Sequence, residues 1–448
     1  MANISKGRHA LVIGSSMAGL TTARVLANHF QQVTMIEKDQ ISDEPKPRKG
    51  VPQAHHLHGL LAQGRTTLEA YYPGITQELM DQGALSADMG HSMRWYHLGG
   101  YKKRFASGLR GLMMSRPLLE AQVRRRTLQL SNVTLRTGSM VRQLLTDASR
   151  RGVTGVRLAS EQSHNQDEDV NADLVVDASG RGSASPRWLT ALGYTEPRQQ
   201  EIKIDLSYAS RLYRREENPL QPPEIILVAP QPPDDKRAGV IFPIEGNRWI
   251  VTVSGMLGDR CPSDEAGFVD YTRSLCAPDI YDQISQCEAL SPVILYRFPA
   301  SRRRNYEQLR SFPEGYLVLG DAVCSFNPIF GQGMTSAILQ AQILDHCLTK
   351  SKTIEGLWKP YFQAIAKVVD IPWQAALGED FRYPGVQGQR PVGLAILNWY
   401  SEAVHRATQR DTVVYQAFLE VMNLMRPPQY LVGPNLLWRV IKDVMQHQ

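Results

Sequence analysis

Two glycine-rich turns hold the residues best suited to chemistry in this chain. Gly14-Ser15-Ser16-Met17-Ala18-Gly19 follows the apolar run Ala10-Leu11-Val12-Ile13 and precedes Leu20 to Ala27, whose apolar residues recur at helical spacing. A strand, a tight turn and a helix in that order aim backbone N–H groups and the positive helix end at one point, where a pyrophosphate can sit. Ser16 stands where the GxGxxG pattern has its middle glycine, and its small side chain still lets a phosphate approach. Glu37 ends the next β-prone run, Val33-Thr34-Met35-Ile36, about 20 residues downstream, where an acid can accept hydrogen bonds from ribose hydroxyls. A turn that bound nothing would not need that acid.

The second turn runs from Gly320-Asp321 through Cys324 and Asn327-Pro328-Ile329-Phe330-Gly331-Gln332-Gly333-Met334. Asp321, directly after a strand, can bind a ribityl hydroxyl or the pyrophosphate region. The Pro-x-x-Gly-x-Gly turn opens a helix whose free N–H groups suit negative charge near N1 and O2 of a flavin ring. Cys324 reads as a small polarizable side chain filling space rather than a redox thiol.

The elements that must position these turns are distant in sequence. Residues 10–37 form a βαβ unit, and residues 41–53, rich in Pro, Lys, Arg and Asp, form a loop towards the active face. A helix is expected from about His58 to Tyr71, and a basic amphipathic one from Ser115 to Leu130. Asp173 to Asp177 and Tyr316 to Gly320 are buried strands of the first sheet, while pieces between Leu85 and Phe105 and between Ile202 and Ser254 suggest a separate antiparallel sheet. The expected class is α/β: a Rossmann-like binding domain from discontinuous segments 1–84, 106–190 and 300–345, an antiparallel substrate domain from 85–105 and 191–299, and C-terminal helices over 346–448.

Together with Asp177-Ala178-Ser179-Gly180-Arg181-Gly182-Ser183, the two turns resemble the group A FAD-dependent monooxygenases of p-hydroxybenzoate hydroxylase fold. Arg48-Lys49-Gly50-Val51-Pro52-Gln53-Ala54-His55-His56-Leu57-His58, Asp177 to Arg187 and Trp249 to Gly255 are most similar to squalene-monooxygenase-like bacterial polyether epoxidases. The resemblance implies FAD held by Gly14, Ser16, Met17, Ala18, Gly19, Glu37 and Lys38, by Arg48, Gly50 and Val51 along the flavin, and by Arg116 at the phosphates or ribityl chain. It adds Val141, Asp177, Gly180, Asp321, Pro328, Gly331, Gly333 and Met334. Where the hydroxylases have Gly-Ala-Asp-Gly, this chain has Ser179 in place of the aspartate, so NAD(P)H serves as electron source directly or through a separate flavin reductase.

The implied activity is insertion of one oxygen atom from O2 into a hydrophobic small molecule of secondary metabolism, by epoxidation or hydroxylation, through a flavin C4a-hydroperoxide. The chemistry belongs to the cofactor, and no catalytic side chain is assigned. A reductase of prenyl or polyene double bonds would use the same sheet and turns, and a non-catalytic lipid-binding escort protein is the reading from another class. The Trp-x-Trp-x-Ile-Pro segment of flavin halogenases is absent.

Bulk composition narrows the rest. In 448 residues, 50 Lys and Arg against 44 Asp and Glu give too mild an excess to imply nucleic acid. Five cysteines without CxxC spacing, and His55, His56 and His58 without a carboxylate or thiol partner, argue against a metal site or disulfide framework. Those histidines are expected to pack or hydrogen-bond, and Arg124-Arg125-Arg126 to form a solvated helix face. With no export segment and no apolar stretch near the roughly 20 residues of a membrane span, a cytoplasmic location is expected. Apolar, Met-containing segments after Leu394 suit a large hydrophobic substrate.

Overall fold

Five parallel strands drawn from separate stretches of chain make the nucleotide-binding sheet of this computed structural model, which describes residues 6–160, 167–216 and 224–447. Gly7–Ile13 lies at its centre between Leu174–Asp177 and Phe30–Ile36, with Tyr316–Val318 and Val133–Arg136 at the edges. Ala10, Leu11 and Val12 are wholly buried, as a continuous apolar run must be when both faces of a parallel sheet are covered. Helices Met17–Leu26, Ala62–Tyr71, Arg116–Leu128 and Gly333–Lys350 pack together beside it. Residues 1–5, which opened the expectation of no export, lie outside the described residues.

Local sequence explains the helix starts. Ser115 Oγ accepts the Leu118 N–H at 3.3 Å and Pro117 sits in the first turn, so the chain enters its helix at Arg116. The helix expected from His58 begins instead at Ala62, because Leu60 is held in a β-bridge with Leu112. The arginine run also differs from expectation. Arg124 is 7% exposed and donates to Ser42 O at 2.9 Å, since the loop after Glu37 folds over the helix, and Arg126 pairs with Glu78.

A second sheet of eight strands is built around the long strand Gln199–Arg214, which pairs antiparallel with Ile294–Arg304 and Arg248–Gly255. Its register sets Ser210 opposite Thr252 and Tyr208 opposite Tyr296. One pair departs from the expected antiparallel pattern: Ile225–Val228 runs parallel to Met93–His97, because that edge comes from an earlier excursion of the chain. The C-terminal helices Leu394–Ala407 and Thr412–Met422 close one side of this sheet. Trp95, Phe242 and Ile250 from strands meet Val404, Tyr415 and Phe418 from helices in one apolar cluster. No helix among the described residues is long and apolar enough to cross a membrane.

Candidate functional site

The first glycine turn is shaped by sterics. Gly14 has φ +96°, and a Cβ on Gly19 would lie 1.9 Å from Gly14 O, so the helix can start this close to the strand only with glycine there. Ser16 occupies the N-cap with no side-chain cap bond, leaving N–H groups of the first turn free of that partner. Glu37 Oε2 accepts from Ser15 N at 3.0 Å and Ser15 Oγ at 2.9 Å, which fastens the turn to the end of the second strand.

A charged knot surrounds that helix end. Arg48 reaches Glu37 and Asp39, each at 3.0 Å, and Glu120 at 3.1 Å. Arg116 donates to Ser16 Oγ at 2.7 Å and pairs with Glu120 at 3.1 Å, while Ser16 Oγ donates to Glu120 at 3.0 Å. Burial would raise the Glu120 carboxyl, but Arg116 and Arg48 hold it below its usual range. Between this knot and the loop lies a cavity of about 220 Å³ lined by Gln40, Pro47, Val51, Arg116, Pro117 and Arg124, among others.

The second turn docks onto the first. Gly320 has φ +66°, and a Cβ there would come within 3.1 Å of Ala18 Cβ. Gly320 N donates to Gln340 Oε1 at 2.9 Å, tying the strand end to the following helix. The Asp321 carboxylate accepts no hydrogen bond from any described residue; burial raises it, opposed by Arg116 and Arg181. Asn327 Oδ1 accepts Ile329 N–H at 3.1 Å, and its amide donates to the buried Asp380 at 2.7 Å, bracing the turn against the helix Trp358–Asp380. Cys324 is buried and its thiol is raised by desolvation. Gly331 has φ +66°, and Cβ atoms on Gly180, Gly331 or Gly333 would meet nothing within 4 Å.

On the side of the large sheet, His56 is 2% exposed and its ring meets Tyr208 edge-on at 4.5 Å and Tyr296 at 5.9 Å. Further along, under the C-terminal helices, Lys102 Nζ donates to Thr408 Oγ1 at 2.7 Å and to His405 Nδ1 at 3.1 Å. The same ammonium stands 4.7 Å from the Trp95 ring centroid and 5.0 Å from that of Phe418.

Gly14, Ser16, Met17, Ala18, Gly19, Glu37, Arg48, Gly50 and Arg116 therefore gather at one corner, where Gly50 N donates to Asp39 at 2.6 Å. Asp321, Pro328, Gly331, Gly333 and Met334 form the adjoining wall. Asp177 turns inward, accepting from Ser179 N at 2.8 Å and Ser183 Oγ at 2.6 Å and also from Ser185, so that it shapes the loop bearing Gly180. Lys38 is exposed, and the half-buried Val141 lies in the strand Ser139–Thr146. Asp39 and Glu120 were not singled out from the sequence. Glu120 follows Arg116 by one helical turn, a spacing that marks an ion pair. Asp39 has no comparable local mark. Among the described residues, no group of three or more His, Cys, Asp or Glu is placed to hold a metal ion.

The FAD binding domain family matches residues 8–353, which contain both turns and the strand between them. The chain belongs to that family. This flavoprotein is also 35% identical over 436 residues to Protein Rv3254 of Mycobacterium tuberculosis (strain ATCC 25618 / H37Rv), covering 93% of this chain and 90% of that one. Its fold is shared with the flavin-dependent brominase Bmp2, at TM-score 0.66 and 16% identity over 98% of this chain and 100% of the other. It is shared too with PqsL, a probable FAD-dependent monooxygenase from Pseudomonas aeruginosa, at TM-score 0.61 and 17% identity over 84% and 98%. A flavoprotein/dehydrogenase from Cytophaga hutchinsonii aligns at TM-score 0.68 and 14% identity over 98% and 100%.

Proposed function

We propose that this flavoprotein is a monooxygenase that transfers one oxygen atom from O2 to a hydrophobic organic substrate, by epoxidation or hydroxylation. The observation that carries the reading is the apolar cluster between the large sheet and the C-terminal helices, which abuts the second glycine turn. Gln332, beside Gly333, donates to Met422 O at 3.2 Å, and Asn423 accepts Ala62 N–H at 2.9 Å. A substrate held in that cluster would lie next to the wall that faces the flavin.

The residues fit FAD. Arg48 Nη2, Gln332 Oε1 and Thr335 Oγ1 are buried without a partner among the described residues, and Gly180, Gly331 and Gly333 face open space. Gly14, Ser16 and the helix end at Met17 would take the pyrophosphate with Arg116, Glu37 the ribose, and Asp321 a ribityl hydroxyl. Pro328, Gly331, Gly333 and Met334 would support the ring. Bound and reduced, FAD supplies the activation of dioxygen, with NAD(P)H as electron source directly or through a separate flavin reductase. The chain's own task is to orient the substrate, keep water out through Trp95, Phe242, Ile250 and Phe418, and offer helix-end N–H groups to negative charge.

Mass spectrometry of products from alkenes incubated aerobically with the protein, a reductant and labelled O2 tests this. Gain of one labelled oxygen atom is expected. Gain of two hydrogens without oxygen would replace the reading with that of a double-bond reductase.

A further inference from the structure

A three-membered chain of hydroxyls and imidazole on the floor of the large sheet stands outside the residues proposed above to hold FAD. Leu57 N–H donates to Thr252 Oγ1 at 3.2 Å, Thr252 Oγ1 lies 2.6 Å from Ser210 Oγ, and Ser210 Oγ lies 2.8 Å from His56 Nδ1. Thr252 and Ser210 are cross-strand partners, so the register of the sheet builds the contact. The far ring nitrogen, His56 Nε2, is buried with no hydrogen-bond partner among the described residues.

Two directions are open to the chain, and they differ in where the imidazole proton sits. Thr252 Oγ1 accepts from Leu57 N–H, and either Thr252 or Ser210 can donate across the contact between them. With Thr252 donating to Ser210, Ser210 can pass its hydrogen to His56 Nδ1. The reverse order instead puts the proton on Nδ1 and leaves Nε2 a bare acceptor. When Ser210 donates, His56 Nδ1 is the acceptor and the proton sits on Nε2. An N–H group buried without an acceptor costs about 1–3 kcal/mol, and the faces of Tyr208 and Tyr296 offer at most a weak N–H···π contact.

We propose that His56 Nε2–H donates a hydrogen bond to a neutral oxygen on the substrate, a ketone, ester, ether or hydroxyl oxygen within an otherwise apolar skeleton, and so selects both the substrate and the part of it that faces the flavin. This rests on the oxygenase reading for its site but not for its test. Three placements support it. Leu57, the next residue, packs against the apolar cluster assigned to the substrate. His58 Nδ1 lies 2.9 Å from His56 O, and burial and then Arg116 push its imidazole down to about 4. His56 itself is pushed down to about 3, first by burial and then by His58 and His55, so it meets a ligand as a neutral donor. A neutral donor suits a neutral oxygen better than a carboxylate, which would call for a cation.

The test uses the oxidised FAD-loaded protein without reductant, reading binding from the change in the visible flavin spectrum. The probes are two isosteric pairs, acetophenone with α-methylstyrene and 2-octanone with 2-methyl-1-octene. In each pair a C=O is exchanged for C=CH2. The wild type is expected to prefer the ketone by about tenfold, the order of one buried hydrogen bond. His56→Asn keeps an amide at the Nδ1 position, facing Ser210, but loses the donor, and is expected to bind both members alike. His56→Gln places its amide N–H near Nε2 and should restore the preference, which a merely structural role would not do. A wild type that binds both members alike, or binds neither pair, overturns the proposal. So does a preference that survives in His56→Asn, or a flavin spectrum already altered in that variant without ligand, which would assign the donor to FAD.

Discussion

The two ends of the site obey different electrostatic rules. At the end proposed to take the phosphates, Arg48, Arg116 and Arg124 face Glu37, Asp39 and Glu120 in a buried, charged lattice. At the sheet end, the polar groups include the series Thr252, Ser210 and His56 and a lysine whose charge burial opposes. Charges buried together can satisfy one another and then receive an anionic cofactor by exchanging partners. An apolar substrate offers no such exchange, so ions would gain nothing beside it.

The largest effect expected from breaking this contrast is at the phosphate end. Gly19→Ala would drive a Cβ into Gly14 O, 1.9 Å away, and displace the helix start. The purified variant should carry no flavin absorbance while keeping wild-type far-ultraviolet circular dichroism; a yellow Gly19→Ala protein would show that the pyrophosphate does not sit there. Next comes Asp177→Ala, which strands Ser179 N, Ser183 and Ser185 and should cost on the order of 3 kcal/mol in urea unfolding. Arg116→Ala should weaken FAD binding by about 10–100-fold in a fluorescence titration, the range of one charge-assisted hydrogen bond to an anion. Unchanged affinity would leave Arg116 to Glu120 alone.

A pH-dependent effect sharpens the other end. Burial pushes the Lys102 ammonium down to about 7, opposed by Glu379, against an unfolded value of about 10.4. Between those values the unfolded chain binds the extra proton, so stability should rise with pH across that window. Lys102→Met should abolish that part of the rise, measured as the urea midpoint on both sides of the window. An identical slope in the variant would mean that Lys102 stays charged in the folded protein.

The same contrast explains what the sequence made legible. Gly14 to Gly19, Glu37 and Gly320 to Met334 are short, contiguous segments in which turn geometry dictates residue type, so the parallel sheet and its discontinuous origin could be read directly. Glu120 was within reach of an i, i+4 reading from Arg116. The His56 relay was not, because Ser210 and Thr252 meet it only through a cross-strand register that no local pattern encodes. Nor was the burial of Arg124, which depends on how the loop after Glu37 folds over its helix.

The central claim is that both ends serve oxygen transfer from a bound flavin. Anaerobic reduction of the FAD-loaded protein, followed by stopped-flow mixing with oxygen, tests it most directly. A transient absorbance band between the reduced and oxidised spectra, shortened by an added alkene, is the predicted result. Direct return to the oxidised spectrum, unaffected by any alkene, would contradict it.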